Sequence, residues 1–310
     1  MKTLKVISVN ISEKKGTIKS PFDFIELNEK GVNNDAHAGK WHRQVSLLGI
    51  ESITKFELQA GRKLAFGEFA ENITTEGIEL FKTKPLDILK NDTIELQITQ
   101  IGKHCHGDSC AIYREVGNCV MPKEGIFARV IKGGVLKAND ILEYYPKVFN
   151  TTIITLSDRA SSGEYEDRSG VRIKEILTEH FQKTGREIKF NTIIIPDDEF
   201  ELKKHLINAK EDNVDFIFTT GGTGIGLRDI TPDVVKPMLD KEIPGIMEMI
   251  RMKFGQEKPN ALLSRGVAGL MKNTLVYTLP GSVKAVNEYM PEILKTLEHL
   301  VYMLNNLDTH

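Results

Sequence analysis

The sequence predicts two domains of different class: a mainly-β, barrel-like N-terminal domain over residues 1–146, and a three-layer α/β C-terminal domain with a mostly parallel sheet over residues 151–310. Three observations predict this. The chain has 310 residues, about two domains' worth. Up to Tyr145 it reads as many short, alternating strands with few helices. From Thr151 onward strands alternate with helical segments, the pattern of a parallel sheet covered by helices.

Composition narrows the function classes. Net charge is −2, so no overall basic field points to nucleic acid. Hydrophobic residues make up 40% and charged residues 27%, ordinary values for a globular chain. No apolar run reaches the length of a membrane span. The N-terminus enters an alternating strand pattern directly, without a signal-peptide core. The three cysteines fall within residues 105–119 and do not form a disulfide framework, so a reducing cytoplasm is expected.

In the first domain, Val6, Ile7, Val9 and Ile11 predict a strand. Residues 23–27 predict another, before a turn at Asn28–Gly31. Ile94, Leu96 and Ile98 alternate with polar residues and predict a half-buried strand. Residues 127–131 and 140–145 close the domain as strands. The one convincing helix runs from about Glu51 to Ala60, with Gly61 as its C-cap.

In the second domain, strands are expected at 152–156, 189–195, 214–218 and 273–279. Helices are expected at about 169–184, 199–210, 232–240, 245–254 and from the Pro280-Gly-Ser282 turn to about Asn305, with a kink at Pro237. Residues 267–269 read as part of a hairpin. Four loops then leave the carboxyl ends of the strands: Ser157–Gly163, Asp197-Asp198, Gly221–Asp229 and Pro280–Ser282. In an open α/β sheet that edge carries the site.

The third loop is the most informative. Gly221, Gly222, Gly224 and Gly226 follow a buried strand and let the backbone bend tightly around a ligand. Thr231-Pro232 reads as a helix start, with the hydroxyl as N-cap. Such loops bind phosphate, because free N–H groups and a helix dipole aim at one spot. No Lys-Ser or Lys-Thr follows, so this is not a Walker A loop, and the spacing is not that of a dinucleotide fingerprint. Asp229 is an anion where an anion would bind, which points to a bridging Mg²⁺ or to a polar non-phosphate group of the substrate. Asp197 is a second carboxylate after a strand end, and Gly281-Ser282 before a helix is a second anion cradle with Lys284 in its first turn.

These strings resemble a known family. Leu156-Ser-Asp-Arg-Ala-Ser-Ser-Gly163, Ile195-Pro-Asp197, Thr219-Thr-Gly-Gly-Thr-Gly224 with Arg228-Asp-Ile-Thr-Pro232, Leu263-Ser-Arg265 and Leu279-Pro-Gly281 are similar to the motifs of the bacterial molybdopterin adenylyltransferases. The resemblance covers nearly all of residues 151–305. It implies Mg-ATP-dependent adenylylation of molybdopterin, with Asp229 and Asp197 catalytic and Asp229 holding Mg²⁺. Ser157, Asp158, Ser161, Ser162, Gly221, Gly222, Thr223, Gly224, Ser264, Arg265, Pro280, Gly281 and Ser282 would then bind substrate and nucleotide. It also implies a homotrimer. The alternative is a non-catalytic carrier of molybdopterin or of the finished molybdenum cofactor.

In the first domain, Asp35-Ala-His-Ala-Gly39 with His42–Leu48, the run Gly61–Gly77, and Gly125–Val130 with Gly133-Gly134 resemble the MOSC domain, named for the C-terminal region of molybdenum-cofactor sulfurases. Ala138-Asn139-Asp140 departs from that family, which usually has Gly before the Asp. The resemblance implies a cysteine that carries sulfur or contacts the molybdenum cofactor, for which Cys105 and Cys110 are candidates. Read from the residues alone, Lys103 beside His104-Cys105 favours a thiolate, while a metal site and an ordinary packed cysteine stay open. Cys119 lies among apolar residues and reads as structural. His37, His42, Arg43, Glu71 and Asn72 are expected to line a cleft. Asp35, His37 and His42 also permit a metal reading, and Glu68, Glu71 and Asn72 permit a solvated face. Expected partners are molybdopterin, ATP, and other cofactor-biosynthesis proteins or molybdoenzymes.

Overall fold

The computed structural model describes residues 2–103 and 120–307. The chain divides into two compact units. Unit 1 takes residues up to Lys147 and those from Asn306; unit 2 is Val148–Asn305. Among the described residues no helix is long and apolar enough to cross a membrane.

Unit 1 is built from β1 (Lys2–Ile11), β2 (Ser20–Phe22), β3 (Phe24–Asn28), β4 (Gly31–Val32), β5 (Val45–Gly49), α1 (Ile50–Ala60), β6 (Ile73–Glu76), β7 (Ile88–Lys90), β8 (Glu95–Ile101), α2 (Met121–Glu124), β9 (Ile126–Lys132), β10 (Gly134–Lys137) and β11 (Ile141–Tyr145). The strands run β11-β7-β8-β9-β5-β6-β1, and β11 also pairs with β1, so seven strands close into a barrel. Strand β2 pairs with the far end of β1, and β10-β3-β4 form a separate small sheet. Closure leaves those seven strands without a free edge. Alternate residues fill the interior: Leu4, Val6, Leu47, Ile73, Leu89, Leu96, Ile98 and Ala128 are all buried. Helix α1 ends as expected at Gly61, in a left-handed conformation with its N–H on the Glu57 carbonyl.

Unit 2 carries β12 (Val148–Leu156), α3 (Asp158–Ser161), α4 (Ser169–Lys183), β13 (Glu187–Ile195), α5 (Glu199–Glu211), β14 (Phe216–Thr220), α6 (Thr231–Val235), β15 (Lys241–Glu242), α7 (Pro244–Gly255), β16 (Ala268–Met271), β17 (Thr274–Leu279) and α8 (Val283–Leu304). Its six-stranded sheet has the order β13-β12-β14-β17-β16-β15. The first four strands are parallel, and β16 and β15 are antiparallel to their neighbours. Central β14 is fully buried, as a strand covered on both faces must be. Burying Phe216, Ile217 and Phe218 contributes about 1.5–3 kcal/mol each.

Two local expectations are corrected. Thr231 is not a side-chain N-cap: α6 starts on it, Ile230 holds the cap position, and no side chain caps the helix. The hydroxyl instead donates to the Gly221 carbonyl at 2.9 Å, tying the helix to the loop before it. The helix expected at 232–240 ends at Val235, where Pro237 tightens the chain into a 3-10 turn at Lys236–Met238.

Candidate functional site

The parallel registers set four strand ends in a row. Leu156 lies opposite Ile195, Thr155 opposite Thr220, and Thr220 opposite Leu279. The loops that follow therefore leave along one edge of unit 2. Side chains and close contacts join them. Asp158 accepts the Asp197 N–H at 3.0 Å through one oxygen and the Arg228 guanidinium at 2.6 Å through the other. Thr220 donates to the Pro280 carbonyl at 3.0 Å. Gly221 is wedged where these loops meet. Its φ is +102°, and a Cβ there would lie 2.3 Å from the Leu156 carbonyl oxygen.

The glycine loop separates its donors from its acceptors. Thr231 donates to the carbonyls of Gly221 (hydroxyl) and Gly222 (N–H, 3.0 Å). Arg265 takes three more: its N–H donates to Thr223 at 2.8 Å, its Nε to Gly224 at 2.7 Å, and its Nη2 to Asp229 at 2.5 Å. The amides of Gly222, Thr223, Gly224 and Ile225 have no acceptor among the described residues. With the carbonyls of residues 221–224 engaged and the amides of residues 222–225 left over, this stretch has the chemistry to receive an anion. Asp229 closes it, its carboxylate accepting the Gly226 N–H at 2.8 Å.

The acids concentrate charge at this edge. Burial pushes the Asp197 carboxyl above the usual carboxylate range, and the nearby charges of Asp158 and Asp229 push the same way. Among the described residues no group of three or more His, Cys, Asp or Glu forms a ready metal cage. Magnesium does not need one. It keeps several waters and takes one or two carboxylates together with phosphate oxygens, so Asp197 and Asp229 suit that ion.

Other expected site residues have local partners. Ser157 caps α3 by accepting the Ala160 N–H, and Ser161 and Ser162 donate to carbonyls one turn back. Ser282 caps α8 by accepting the Ala285 N–H. Ser264 is braced through its carbonyl by Arg251 at 3.4 Å. Arg265 lies over the glycine loop, and its Nη1 donates to Asp233 at 2.7 Å.

Sequence reasoning missed two residues. Arg228 was read only as part of a motif, yet it crosses the edge to Asp158. Asp167 accepts from the Thr155 hydroxyl at 2.7 Å and the Gly170 N–H at 2.9 Å, fixing the start of α4 to the end of β12. The signal available was an acid two residues before the first helical residue, spaced to accept the N–H three residues on as a cap does.

Unit 1 holds a cavity of about 270 Å³, lined by His37, Trp41, Arg43, Ser46, Asn72 and Lys103 and backed by Met121 and Phe127. The Arg43 guanidinium lies 4.8 Å from the Trp41 ring centre, and its buried Nε has no hydrogen-bond partner among the described residues. His42 and Glu71 do not line this cavity. Glu71 and Asn72 are fully buried, so neither belongs to a solvated face. Burial pushes the Glu71 carboxyl up, against donation from the Gly67 N–H and the Thr74 hydroxyl. Asp35 serves a structural pair: the fully buried Lys19 ammonium lies 2.5 Å from its carboxylate. Burial alone would push the Asp35 carboxyl up, but donors on His37 and Lys19 outweigh it and hold it well below the usual range. Asn72 also donates to Asp35 at 3.0 Å. Glu68 pairs with Arg62 at 2.5 Å. The thiol candidates Cys105 and Cys110, with His104 and Cys119, lie outside the described residues.

Comparison with known proteins bears on unit 2. The family model described as "Probable molybdopterin binding domain" matches residues 152–299. A molybdopterin adenylyltransferase of Helicobacter pylori is 37% identical over 153 residues, covering 49% of this chain and 85% of that protein. One from Pyrococcus furiosus is 37% identical over 161 residues, covering 50% of this chain and 91% of that protein. A crystal structure of a molybdopterin biosynthesis enzyme from Thermus is 36% identical, with a TM-score of 0.46, over 50% of this chain and 96% of that one.

Proposed function

Since this chain belongs, through residues 152–299, to the molybdopterin-binding family of molybdenum-cofactor biosynthesis and is a nucleotidyltransferase, we propose that unit 2 joins molybdopterin to the adenylyl group of ATP. A terminal phosphate oxygen of the pterin attacks the α-phosphorus. An O–P bond forms, the bond from the α-phosphorus to the bridging oxygen breaks, and pyrophosphate leaves with the electron pair.

The observation that carries this reading is the donor-only face of the glycine loop, with Asp229 and Asp197 beside it. Such a reaction needs positioning and neutralisation of phosphate charge more than covalent help from the protein. The amides of residues 222–225 supply fixed donors for non-bridging oxygens. The Asp229 carboxylate accepts one loop N–H, and phosphate would compete for it. When bound, Mg²⁺ would be held by Asp229 and Asp197 and would neutralise charge on the phosphates. Ser157, Asp158 and Pro280–Ser282 border the same edge and would shape the remaining walls.

For unit 1, the barrel, the cavity with Arg43 and Lys103, and the MOSC-like phrases support binding of the cofactor or its sulfur. A cation stacked on an aromatic ring suits an anionic, flat heterocycle. Cys105 or Cys110 would carry the sulfur. A homotrimer accompanies this proposal and is measurable by light scattering.

The decisive experiment is pyrophosphate release on mixing protein, Mg-ATP and molybdopterin. Turnover supports the enzyme. No pyrophosphate, together with Asp229→Ala binding molybdopterin as tightly as wild type, would leave a carrier. For unit 1, persulfide capture unchanged in both Cys105→Ser and Cys110→Ser would remove the thiol role.

A further inference from the structure

We propose that Arg265 is a positioning residue for the anion cradle and not a phosphate ligand. The inference rests on the reading of the glycine loop as a phosphate site. All three nitrogens of the guanidinium are engaged within the protein: Nε on the Gly224 carbonyl, Nη2 on the Asp229 carbonyl, Nη1 on the Asp233 carboxylate. The residue's own N–H takes the Thr223 carbonyl.

The consequence is directional. A peptide plane whose carbonyl is pulled toward Arg265 turns its N–H the other way. Carbonyls of residues 223 and 224 are held on one side, so the amides of Gly224 and Ile225 are presented on the opposite side. Fixing the carbonyl of Asp229 also fixes the backbone from which its carboxylate projects. Lysine could not do this, because a single ammonium lacks the planar fork that spans three acceptors.

The brace is itself braced. Arg251 on α7 donates to the carbonyls of Ser264 at 3.4 Å and Gly266 at 3.0 Å, the two neighbours of Arg265. A chain of contacts therefore runs from α7 through Arg265 to the cradle, and none of it uses a group that must leave to admit ligand.

The two roles differ measurably. A phosphate ligand acts by charge, so Lys replaces it in part and salt weakens it. A brace acts by geometry, so Lys fails as Ala does. Titration calorimetry with Mg-ATP is run first on the whole wild-type protein, then on Arg265→Lys and Arg265→Ala at low and high salt. The expected result is a loss of about tenfold or more in affinity in both variants, with unchanged salt dependence and partial rescue of Arg265→Ala by millimolar guanidinium ion. kcat is expected to fall further than KM rises, since the misplaced amides serve the transition state more than the ground state. Arg265→Lys binding like wild type, or a flatter salt dependence in Arg265→Ala, overturns the brace and leaves the phosphate site standing. A wild-type protein that binds no Mg-ATP overturns both. Should the Arg265 variants fail to fold, Arg251→Gln carries the test. It is expected to weaken binding about threefold without changing salt dependence, and unchanged affinity overturns the proposal.

Discussion

Asp158 accepts the main-chain N–H of Asp197 at 3.0 Å, so the loop after β12 holds the loop after β13. Two acids 39 residues apart thereby share one edge, with Arg228 as the cation between the first of them and the glycine loop. The consequences are testable.

Asp229→Ala is expected to lower the rate of pyrophosphate release by about a hundredfold or more, the scale of removing one preorganised charge-stabilising group. Asp197→Asn should cost less, about tenfold, because it follows β13, which β12 separates from the strand that leads into the glycine loop. Steady-state kinetics with molybdopterin and Mg-ATP check both.

The pH dependence follows from Asp197. Its carboxyl is raised by burial, so the folded protein holds that proton to higher pH than the unfolded chain does. Stability from this group is greatest at low pH and declines as pH rises from the ordinary carboxylate value to the folded one. Asp197→Asn is therefore expected to raise the melting temperature at neutral pH, with the gain vanishing in acid. Activity should run the other way. If the ionised acid holds the metal, the acid limb of the rate profile lies above the normal Asp range and disappears in the variant.

Gly221→Ala should destabilise by about 3 kcal/mol, since a positive φ and a Cβ 2.3 Å from the Leu156 carbonyl act together. Gly163→Ala is the control. It also has positive φ, at +78°, but a Cβ there meets nothing within 4 Å, and it should cost only about 1 kcal/mol. Urea denaturation compares the two.

In unit 1, Lys19→Met should destabilise by about 3–5 kcal/mol, because it leaves the Asp35 charge buried without its partner. Asp35→Asn added to it should recover part of that loss. Equal destabilisation by the single and double variants would refute the coupling.

Much of the fold was legible from periodicity. The strand at Phe216, the helices at 199–210 and 245–254, and the long terminal helix lie where pattern put them, because local propensity and burial agree there. The Thr231 cap was misread because a threonine hydroxyl serves equally well as a cap or as a donor to a distant carbonyl, and only the approach of Gly221 decided between them.

From the residues alone came the four loops, the glycines among them, and Asp197 and Asp229. All of these follow from strand-helix alternation and turn chemistry, which are local in the chain. Barrel closure through β1 and β11, the Lys19–Asp35 pair and the grip of Arg265 on the glycine loop join residues 16 or more positions apart. No local rule reaches that far. Carbonyl and amide directions in a loop depend on which distant donor arrives first, and only the packed chain fixes that.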